Sequence, residues 1–461
     1  MTLTSLWQDR HPRTTTPPPS VEGTTEVAII GGGLTGLTAA VLLARAGKAV
    51  TVLEARRIGD GTTGGSTAKV SLLQGTQLSR INTRHSKDVV RAYVEANTEG
   101  QAWLARFCED HGVETQRRTA YTYATSASGE RSVRRELSVA EDAGLKAEWT
   151  DEVDLPFATR GAVRLADQLQ VDPVELLGAL EQQAREHGVH VVEGTRVTRV
   201  RDRGPVRVVT GRGTLTADTV IVATNMPMLD RGGYFARMVP ARSYSLAFEA
   251  PSTVHGMYLS ADSPSRSLRD SGDGLLLVGG EGHTTGRGGS MAARLDRLRD
   301  WTHEHFPGAT ETHAWSAQDY EPAHALPFAG PLLPGLDSIL VAGGYSKWGM
   351  TNGVSAALAL SGRILGGHME WASVYHPWRT HELTGLPGTA LANVEVGFEM
   401  GRGWIRKAVS SDRSPVCTHL GGVLRWNDAE HSWDCPLHGS RFDADGSVLE
   451  GPATCGLRSL R

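Results

Sequence analysis

The alternation of apolar and polar positions near the N-terminus predicts a β-α-β unit. Residues 26–30 form a short apolar run that predicts a buried strand. Residues 34–46 have the three-to-four-residue apolar spacing of a helix, which Gly47 ends. Apolar and polar residues alternate again at 49–54, which predicts a second strand. Two strands joined by a helix are parallel neighbours in one sheet, so the pattern favours an α/β fold.

The rest of the chain predicts a larger mixed architecture. Polar-faced helices are expected at 86–110 and 131–146, and another at 172–187, where Asp172 and Pro173 suit an N-cap followed by proline. Short β-branched strands are expected within 189–223. The remaining predicted elements are a strand at 339–342, a glycine-rich turn at 343–349 and a small-residue helix at 351–365.

A dinucleotide-binding fingerprint lies between the first strand and the first helix. Gly31, Gly33 and Gly36 fit G-x-G-x-x-G, in which the first glycine allows a tight turn, the second admits a pyrophosphate and the third permits close helix packing. The helix N-terminus offers N–H groups to phosphates. Glu54 ends the second strand, about 20 residues further on, where a carboxylate accepts hydrogen bonds from ribose hydroxyls. Dinucleotide binding is therefore predicted, although the fingerprint does not decide between FAD and NAD.

A second glycine- and hydroxyl-rich segment, 59–69, favours FAD. With the fingerprint it resembles the D-amino-acid-oxidase superfamily of FAD enzymes, in which such a loop runs along the pyrophosphate and the flavin. Residues 217–225 and 342–353 resemble that superfamily's strand returning to the cofactor and its closing flavin motif. The resemblance covers about residues 24–368. The cofactor-binding residues it implies are Gly31, Gly33, Leu34, Thr35, Gly36, Glu54, Ala55, Gly64, Ser66, Thr67, Lys69, Val197, Ala223, Thr224, Gly344, Trp348, Gly349, Met350 and Thr351.

A second motif lies near the C-terminus. Cys417 and His419 form C-x-H, Cys435 and His438 form C-x-x-H, and 15 residues separate the two pairs. This is the pattern of a Rieske [2Fe–2S] cluster, in which two cysteines hold one iron and two histidines the other. A zinc site is the alternative, because two cysteines and two histidines also suit Zn²⁺. The alternating order of cysteine and histidine in both loops favours the cluster.

Together the two motifs resemble a bacterial family in which a D-amino-acid-oxidase-like flavoprotein is fused to a C-terminal Rieske domain. The resemblance implies an α/β fold: a Rossmann-like FAD-binding domain with an inserted mixed β-sheet substrate domain, plus a small all-β Rieske-like module. Few residues lie beside the cluster motifs for the module's other strands, so we expect a truncated module. The expected organisation is a disordered leader at 1–24, the oxidoreductase domain at 25–368 (FAD-binding parts about 25–80, 160–226 and 315–368; substrate-domain parts about 81–159 and 227–314), a linker at 369–411 and the Rieske module at 412–461.

Composition and charge exclude few classes of protein. The chain has 461 residues, a formal net charge of −4 and four cysteines, three of them near the C-terminus. No basic excess points to nucleic acid, and no apolar run is long enough for a membrane span. The first residues lack the pattern of a secretory signal, so a cytoplasmic location is expected.

No residue identifies the substrate. The candidates in the expected substrate region and at the flavin motif are Tyr244, Arg266, His283 and Lys347. The cofactors predict oxidation of a C–N bond of an amine or amino acid, with electrons passing from FAD to the cluster and on to a carrier. Two alternatives stay open. One is an electron-transfer flavoprotein without its own organic substrate, and the other is a non-enzymatic cofactor-binding or interaction protein.

Overall fold

A computed structural model describes residues 3–13, 20–202, 204–379, 384–409 and 414–458. It confirms the predicted β-α-β unit as β1 (Gly23–Ile30), α2 (Leu34–Arg45) and β2 (Val50–Leu53). The two strands are parallel, and Ile30 pairs with Leu53. Helix α2 is buried along most of its length because its small and aliphatic residues pack on the sheet and on neighbouring helices.

The first sheet has eight strands in the order β16-β17-β10-β1-β2-β7, with β9 and β8 extending from β10. Strands β17, β10, β1, β2 and β7 are parallel neighbours, so their carboxyl ends meet at one edge, where ligands bind in such sheets. The remaining strands are β16 (Phe328–Pro331), β17 (Ile339–Gly343), β10 (Gly213–Val222), β7 (His190–Val192), β8 (Val197–Arg201) and β9 (Val206–Thr210). The helices packed near this sheet are α4 (Lys87–Asp110), α6 (Pro173–Glu186) and α9 (Gly349–Ile364).

A second, mixed sheet of nine strands has the order β15-β11-β14-β13-β12-β4-β6-β3, with β5 paired to β6. Its longest contact joins β11 and β15 as antiparallel strands from Met238 to Glu249. The strands are β3 (Lys69–Val70), β4 (Thr115–Tyr123), β5 (Glu148–Thr150), β6 (Ala162–Val171), β11 (Met238–Glu249), β12 (Met257–Ser260), β13 (Arg266–Asp270), β14 (Leu276–Thr284) and β15 (Thr310–Pro322). The associated helices are α3 (Gln77–Asn82), α5 (Ala127–Asp142), α7 (Tyr234–Arg237) and α8 (Met291–His305). The inserted mixed sheet was predicted.

The N-terminal segment differs from the predicted disordered leader at 1–24. Helix α1 (Leu6–Arg10) places Leu6 and Trp7 in the core, and the Trp7 indole N–H donates to the Ser66 carbonyl at 2.8 Å. Strand β1 already begins at Gly23. Two large apolar side chains bury enough surface to hold this short helix. The hydroxyl- and proline-rich residues that follow in the sequence made the whole segment resemble a leader without a core. Residues 14–19 lie outside the described residues.

The predicted linker at 369–411 also contains regular structure. A 3-10 helix, Glu370–Tyr375, buries Trp371 and Tyr375 in the main core, and α10 (Leu386–Val409) runs for 24 residues. Scattered glycines in that segment argued against a helix, because each costs helix stability. Much of the apolar surface of α10 is exposed, which includes Phe398. Residues 380–383 and 410–413 lie outside the described residues.

The C-terminal module is a small antiparallel sheet of four strands, as an all-β module predicts. The strands are β18 (Arg425–Asn427), β19 (Ser432–Asp434), β20 (Arg441–Phe442) and β21 (Val448–Glu450). The two cysteine-histidine loops flank β18 and β19. Within the described residues, no helix has the length and apolar content to cross a membrane.

Candidate functional site

A cavity of about 1030 Å³ opens at the carboxyl edge of the first sheet, between it and the second sheet. The N-termini of α2 and α9 both border it, through Leu34 and Thr35 on one side and Gly349 and Met350 on the other. Helix N-termini carry free N–H groups and the positive end of the helix dipole. The cavity can therefore hold a large ligand with anionic groups at two places.

Each fingerprint glycine is required for a different structural reason. A Cβ on Gly31 would lie 2.7 Å from the Ala223 carbonyl oxygen, and one on Gly36 would lie 1.9 Å from the Gly31 carbonyl oxygen. These glycines therefore allow strand β10 and helix α2 to approach β1. A Cβ on Gly33 would meet only the Thr63 hydroxyl, at 3.4 Å. The polypeptide leaves space at Gly33, as a site for pyrophosphate requires.

Glu54 is held at the end of β2 by two backbone N–H groups. Gly32 N and Arg56 N each donate to one of its carboxylate oxygens at 2.8 Å. Each oxygen keeps a second acceptor site, which suits the predicted ribose contact. Arg56 and Arg196 line the cavity beside Glu54, and sequence analysis missed both. Arg196 directly precedes Val197, one of the predicted cofactor-binding residues.

The loop at 59–69 lies along the cavity, as predicted from the resemblance. A Cβ on Gly64 would overlap the Gly59 carbonyl oxygen at 1.8 Å, so Gly64 shapes the loop itself. Lys69 is buried and donates to the Tyr258 carbonyl at 2.7 Å and to the Ser267 hydroxyl at 2.6 Å. Burial lowers the pKa of Lys69 well below its usual value. This position therefore offers the cavity a desolvated amine.

Most predicted cofactor residues meet at this cavity and four do not. The lining residues among them are Gly31, Gly33, Leu34, Thr35, Glu54, Ala55, Ser66, Thr67, Lys69, Val197, Ala223, Thr224, Trp348, Gly349 and Met350. Gly36, Gly64, Gly344 and Thr351 lie behind the wall. The Thr351 hydroxyl donates to Asn97 Oδ1 at 2.5 Å inside the core. The structure therefore gives these four residues packing contacts.

Asp319 holds the loop that leads into α9. Its buried carboxylate accepts from Asn225 Nδ2 at 2.6 Å and also from the Lys347 backbone N–H. Asn225 in turn accepts from Gly344 N at 2.8 Å. Within this loop Ser346 and Lys347 have positive φ angles of 51° and 71°, a strained conformation for residues with side chains and one that is common at functional sites. Sequence analysis gave Asp319 no role.

Two of the four catalytic candidates form a stacked pair at the cavity. The rings of Tyr244 and His283 lie 5.8 Å apart at an interplanar angle of 14°. Burial lowers the pKa of His283 to about 4, so its imidazole is neutral at physiological pH. Within the described residues, Tyr244 Oη and His283 Nε2 are buried without a hydrogen-bond partner. Both atoms are therefore available to a ligand.

The other two candidates differ from each other. Lys347 lines the cavity beside Gly282, with its Nζ near that glycine. Arg266 is buried behind the wall, where its guanidinium donates to the Glu281 carboxylate at 3.0 Å. Arg297 donates to the other oxygen of Glu281 at 2.7 Å. Arg266 is thus committed to an internal ion pair and is a poor candidate for holding a substrate carboxylate.

The C-terminal loops each close on their own cysteine. Cys417 N donates to the Gly422 carbonyl at 2.8 Å, and Cys435 N donates to the Ser440 carbonyl at 2.8 Å. A Cβ on Gly422 would lie 3.0 Å from Cys435 Sγ, so glycine there lets the two loops approach. A hydrogen bond from the Cys435 thiol lowers the pKa of Cys417 below its usual value.

Each of the two histidines has a ring nitrogen that can bind iron. His419 Nε2 lies 2.6 Å from an Asp230 carboxylate oxygen, so the proton on Nε2 is held and Nδ1 is left with its lone pair. His438 Nδ1 is buried without a partner in the described residues, and burial lowers the pKa of His438 to about 4. The rings lie 5.3 Å apart. No three histidine, cysteine or acidic side chains of the described residues converge as for a single metal ion. The donors instead come as a cysteine pair and a histidine pair, as in a Rieske cluster.

Comparison with known proteins decides the family. The family model for FAD-dependent oxidoreductases matches residues 26–363, and the model for the Rieske [2Fe–2S] domain matches residues 413–461. The chain belongs to the FAD-dependent oxidoreductase family, with a C-terminal Rieske domain. It is 31% identical over 482 residues to the putative Rieske 2Fe-2S iron-sulfur protein YhfW of Bacillus subtilis, covering 96% of this chain and 95% of that protein. FAD and the [2Fe–2S] cluster are thus the cofactors, as the sequence predicted.

Solved structures confirm the fold of the flavin domain. Glycine oxidase from Geobacillus kaustophilus superposes with a TM-score of 0.68 at 18% identity, over 78% of this chain and 99% of that one. L-Proline dehydrogenase from P. horikoshii has a TM-score of 0.66 at 18% identity, over 78% of this chain and 98% of that one. At these identities the likeness concerns the fold alone.

The Rieske domain docks on the flavin domain through its second loop. Gln318 Nε2 donates to the Gly439 carbonyl at 2.9 Å, and Arg287 Nε donates to the Pro436 carbonyl at 2.8 Å. On another side, Asp428 caps α8, accepting from Met291 N at 2.7 Å. Gln318 belongs to β15 and also lines the FAD cavity. One strand therefore separates the cavity from the cluster-binding loop.

Five buried charges, called here the interface charge cluster, also join the two domains. Arg242 of the flavin domain contacts two carboxylates of the Rieske domain, Glu430 at 2.8 Å and Glu450 at 3.0 Å. Arg441 contacts Asp434 and Glu450, both at 2.9 Å, and also Glu430. All five side chains are at most 15% exposed. Three acids thus share two arginines across the interface.

Proposed function

We propose that the protein oxidises a C–N bond of an amine or amino acid and that electrons leave through the Rieske cluster. The supporting observation is a set of four buried polar atoms on residues lining the FAD cavity, which have no hydrogen-bond partner among the described residues: Tyr244 Oη, His283 Nε2, Arg294 Nε and Ser346 Oγ. Buried polar groups are ordinarily paired, so their partners are expected to come from a ligand. The fold is shared with glycine oxidase and L-proline dehydrogenase, which supports a small amine as that ligand.

His283 suits the binding of the substrate nitrogen. An amine is oxidised in its neutral form, and most amines enter as ammonium ions. A neutral imidazole accepts a hydrogen bond at Nε2 from the substrate nitrogen, and burial, which lowers the pKa of His283 to about 4, keeps the ring neutral before substrate binds. Its Nδ1 lies 3.2 Å from the Glu281 carbonyl oxygen, a contact that orients the ring with Nε2 free to accept. The Tyr244 hydroxyl is available to orient the substrate.

The cofactors supply the redox chemistry. When bound, the flavin accepts the two electrons that leave the amine carbon as a hydride equivalent. The ammonium substrate first loses one proton to water, and His283 Nε2 accepts a hydrogen bond from the neutral amine. Loss of the hydride leaves an iminium ion, which water hydrolyses to a carbonyl compound and the ammonium form of ammonia or of a smaller amine. Two electrons must then leave one at a time through a one-electron cluster, which favours a one-electron carrier as the acceptor.

The residues that would hold FAD are those at the cavity edge. The helix N-termini at Leu34 and Gly349 and the space at Gly33 suit the phosphates and the ring system, and Glu54 suits the ribose. Cys417, His419, Cys435 and His438 would hold the cluster. Gln318 is the positioning residue between the two sites, because it lines the cavity and its side chain also donates a hydrogen bond to the cluster loop.

The test is anaerobic reduction of the bound flavin by a panel of amines and amino acids, followed as loss of flavin absorbance. We expect at least one amine to reduce the flavin, and the matching 2-hydroxy acids not to. His283→Asn should slow reduction by about tenfold or more, because the substrate nitrogen loses the hydrogen bond that Nε2 accepts. His190→Asn is the control, since His190 is exposed on β7. If no amine reduces the flavin but a chemical reductant reduces flavin and cluster together, the alternative of an electron-transfer flavoprotein is correct.

A further inference from the structure

Residues 448–455 of the Rieske domain pass between the two cofactor sites. On the flavin side, Leu449, Glu450, Gly451, Ala453 and Thr454 line the FAD cavity together with Arg56 and Arg196. The guanidinium of Arg196 donates to the Val448 carbonyl at 2.8 Å. Part of the wall of the FAD cavity is therefore made by another domain, at the end where Glu54 and Val197 lie.

The same residues contact both cluster-binding loops. Ala453 N donates to the Ser440 hydroxyl at 3.1 Å, and Ser440 accepts from Cys435 N through its carbonyl. The Thr418 hydroxyl donates to the Cys455 carbonyl at 2.6 Å, and Thr418 lies between the two ligands of the first loop. Ala453 is 2% exposed and packs in the same small core as the two ligand cysteines. Few covalent or hydrogen bonds thus separate a cluster ligand from the cavity wall.

Gly451 of this wall packs closely against the second cluster-binding loop. Gly451 has a φ of 87°, and a Cβ there would lie 2.6 Å from the Gly439 carbonyl oxygen of the second loop. A shift of that loop must therefore be transmitted to Gly451, which itself lines the FAD cavity. Metal binding supplies folding free energy to small domains, so loss of the cluster is expected to loosen the loops and this wall with them.

We propose that residues 448–455 form a shared wall that couples the two cofactors, so that FAD binds more tightly when the cluster is in place. The coupling is reciprocal: an equilibrium in which the cluster strengthens FAD binding is one in which FAD strengthens retention of the cluster by the same factor. Glu450 gives the wall a further tie, since it lines the cavity and belongs to the interface charge cluster. The proposal depends on the presence of both cofactors and is independent of the substrate.

The experiment measures the dissociation constant of FAD in two forms of the full-length protein. One form carries the cluster, and the other has lost it by anaerobic treatment with a reductant and an iron chelator, checked by iron analysis and electron paramagnetic resonance. Removal of the cluster should raise the dissociation constant of FAD at least fivefold, within the range of about 5- to 150-fold typical of coupled sites. His438→Ala provides a second route to cluster-free protein and should give the same shift.

A point variant tests the wall itself while the cluster stays bound. Gly451→Ala should also raise the dissociation constant of FAD at least fivefold, measured on the fraction of the protein that retains its iron. Gly188→Ala is the matched control, because Gly188 has a similar φ of 81° but open space around its Cα and lies after α6, away from both sites. A change of less than fivefold on cluster removal overturns the proposal, whether or not Gly451→Ala folds. An equal effect of Gly188→Ala and Gly451→Ala also overturns it. Because FAD affinity is measured without substrate, failure here is distinct from failure of amine oxidation.

Discussion

Replacing Arg242 by Met should loosen the Rieske domain from the flavin domain. Arg242 is 3% exposed and lies between Glu430 and Glu450, both of which belong to the other domain. Without it, Arg441 alone must balance three buried carboxylates. Methionine has a similar length and no charge, so the substitution removes the electrostatic contacts and keeps most of the apolar contact.

The structure sets the size of the effect. Removing one partner of a buried ion pair costs about 3–5 kcal/mol, because the remaining charge stays buried without compensation. At about 1.4 kcal/mol for each tenfold change, local opening of the domain should become at least about a hundredfold more frequent. Burial alone would raise the pKa of Glu450. The charges of Arg242 and Arg441 outweigh that effect and lower the pKa to about 2. A carboxyl with a depressed pKa stabilises the fold above its unfolded pKa and loses that effect as pH falls toward 2, so wild-type docking should weaken on acidification below about pH 4.5.

Hydrogen-exchange mass spectrometry on the cofactor-loaded protein measures this opening directly. Peptides covering β19 and β20 should lose at least about a hundredfold protection in Arg242→Met, with β1 and β10 unchanged. Arg164→Met is the control, since Arg164 and Glu148 form an exposed pair worth less than about 1 kcal/mol. The double variant Arg242→Met/Glu430→Gln restores the charge balance and should recover part of the protection. A loss below tenfold in Arg242→Met, or an equal loss in Arg164→Met, would refute the argument.

Three further outcomes are expected. Gly33→Val should abolish FAD binding without unfolding the protein, because the residue faces open cavity space, whereas Gly211→Val in an exposed turn should bind FAD normally; both are measured by FAD release and circular dichroism. Between pH 6.5 and 4 the unfolded chain binds a proton at His283 that the folded protein does not, so the melting temperature of the wild type should fall with pH over this range. His283→Asn should remove part of that fall. Gln318→Leu should slow electron transfer from flavin to cluster in stopped-flow absorbance, and Gln168→Leu, another buried glutamine away from both sites, should not; equal rates in the two variants would show that the Gln318 contact is irrelevant to transfer.

The features predicted from sequence are those that depend on neighbouring residues. The strand-turn-helix at Gly31 to Gly36 is encoded within a dozen positions, and the structure places both glycines where a Cβ would collide with backbone. The order and spacing of the cluster ligands are equally local. Asp172 is another local signal, and its carboxylate accepts from Val174 N at 2.9 Å as an N-cap. Such motifs need no knowledge of what packs against them.

The features that sequence analysis missed depend on residues far apart in the chain. Gln318 meets Gly439 across 121 positions, and Arg242 meets Glu430 across 188. Neither Gln318 nor Arg242 stands out by type or spacing in a chain with many arginines. The short helix at Leu6–Arg10 was missed for the same reason, because its Trp7 is held by Ser66 of a distant loop. Arg266 was predicted as a candidate at the substrate site, but a long-range contact that the sequence does not reveal pairs its guanidinium with Glu281.

The Rieske domain depends on these long-range contacts for the surroundings of its cluster ligands. Metal sites depend on partners around the ligands as well as on the ligands themselves. Several of those partners come from the flavin domain: Asp230 holds the His419 imidazole, Gln318 and Arg287 hold the second loop, and Arg242 neutralises two buried carboxylates. A four-stranded module can thus present a complete set of cluster ligands because a second domain supplies the surrounding shell. The same arrangement fixes the cluster loop one strand from the FAD cavity, so the contacts that surround the cluster ligands also set the distance between the two cofactor sites.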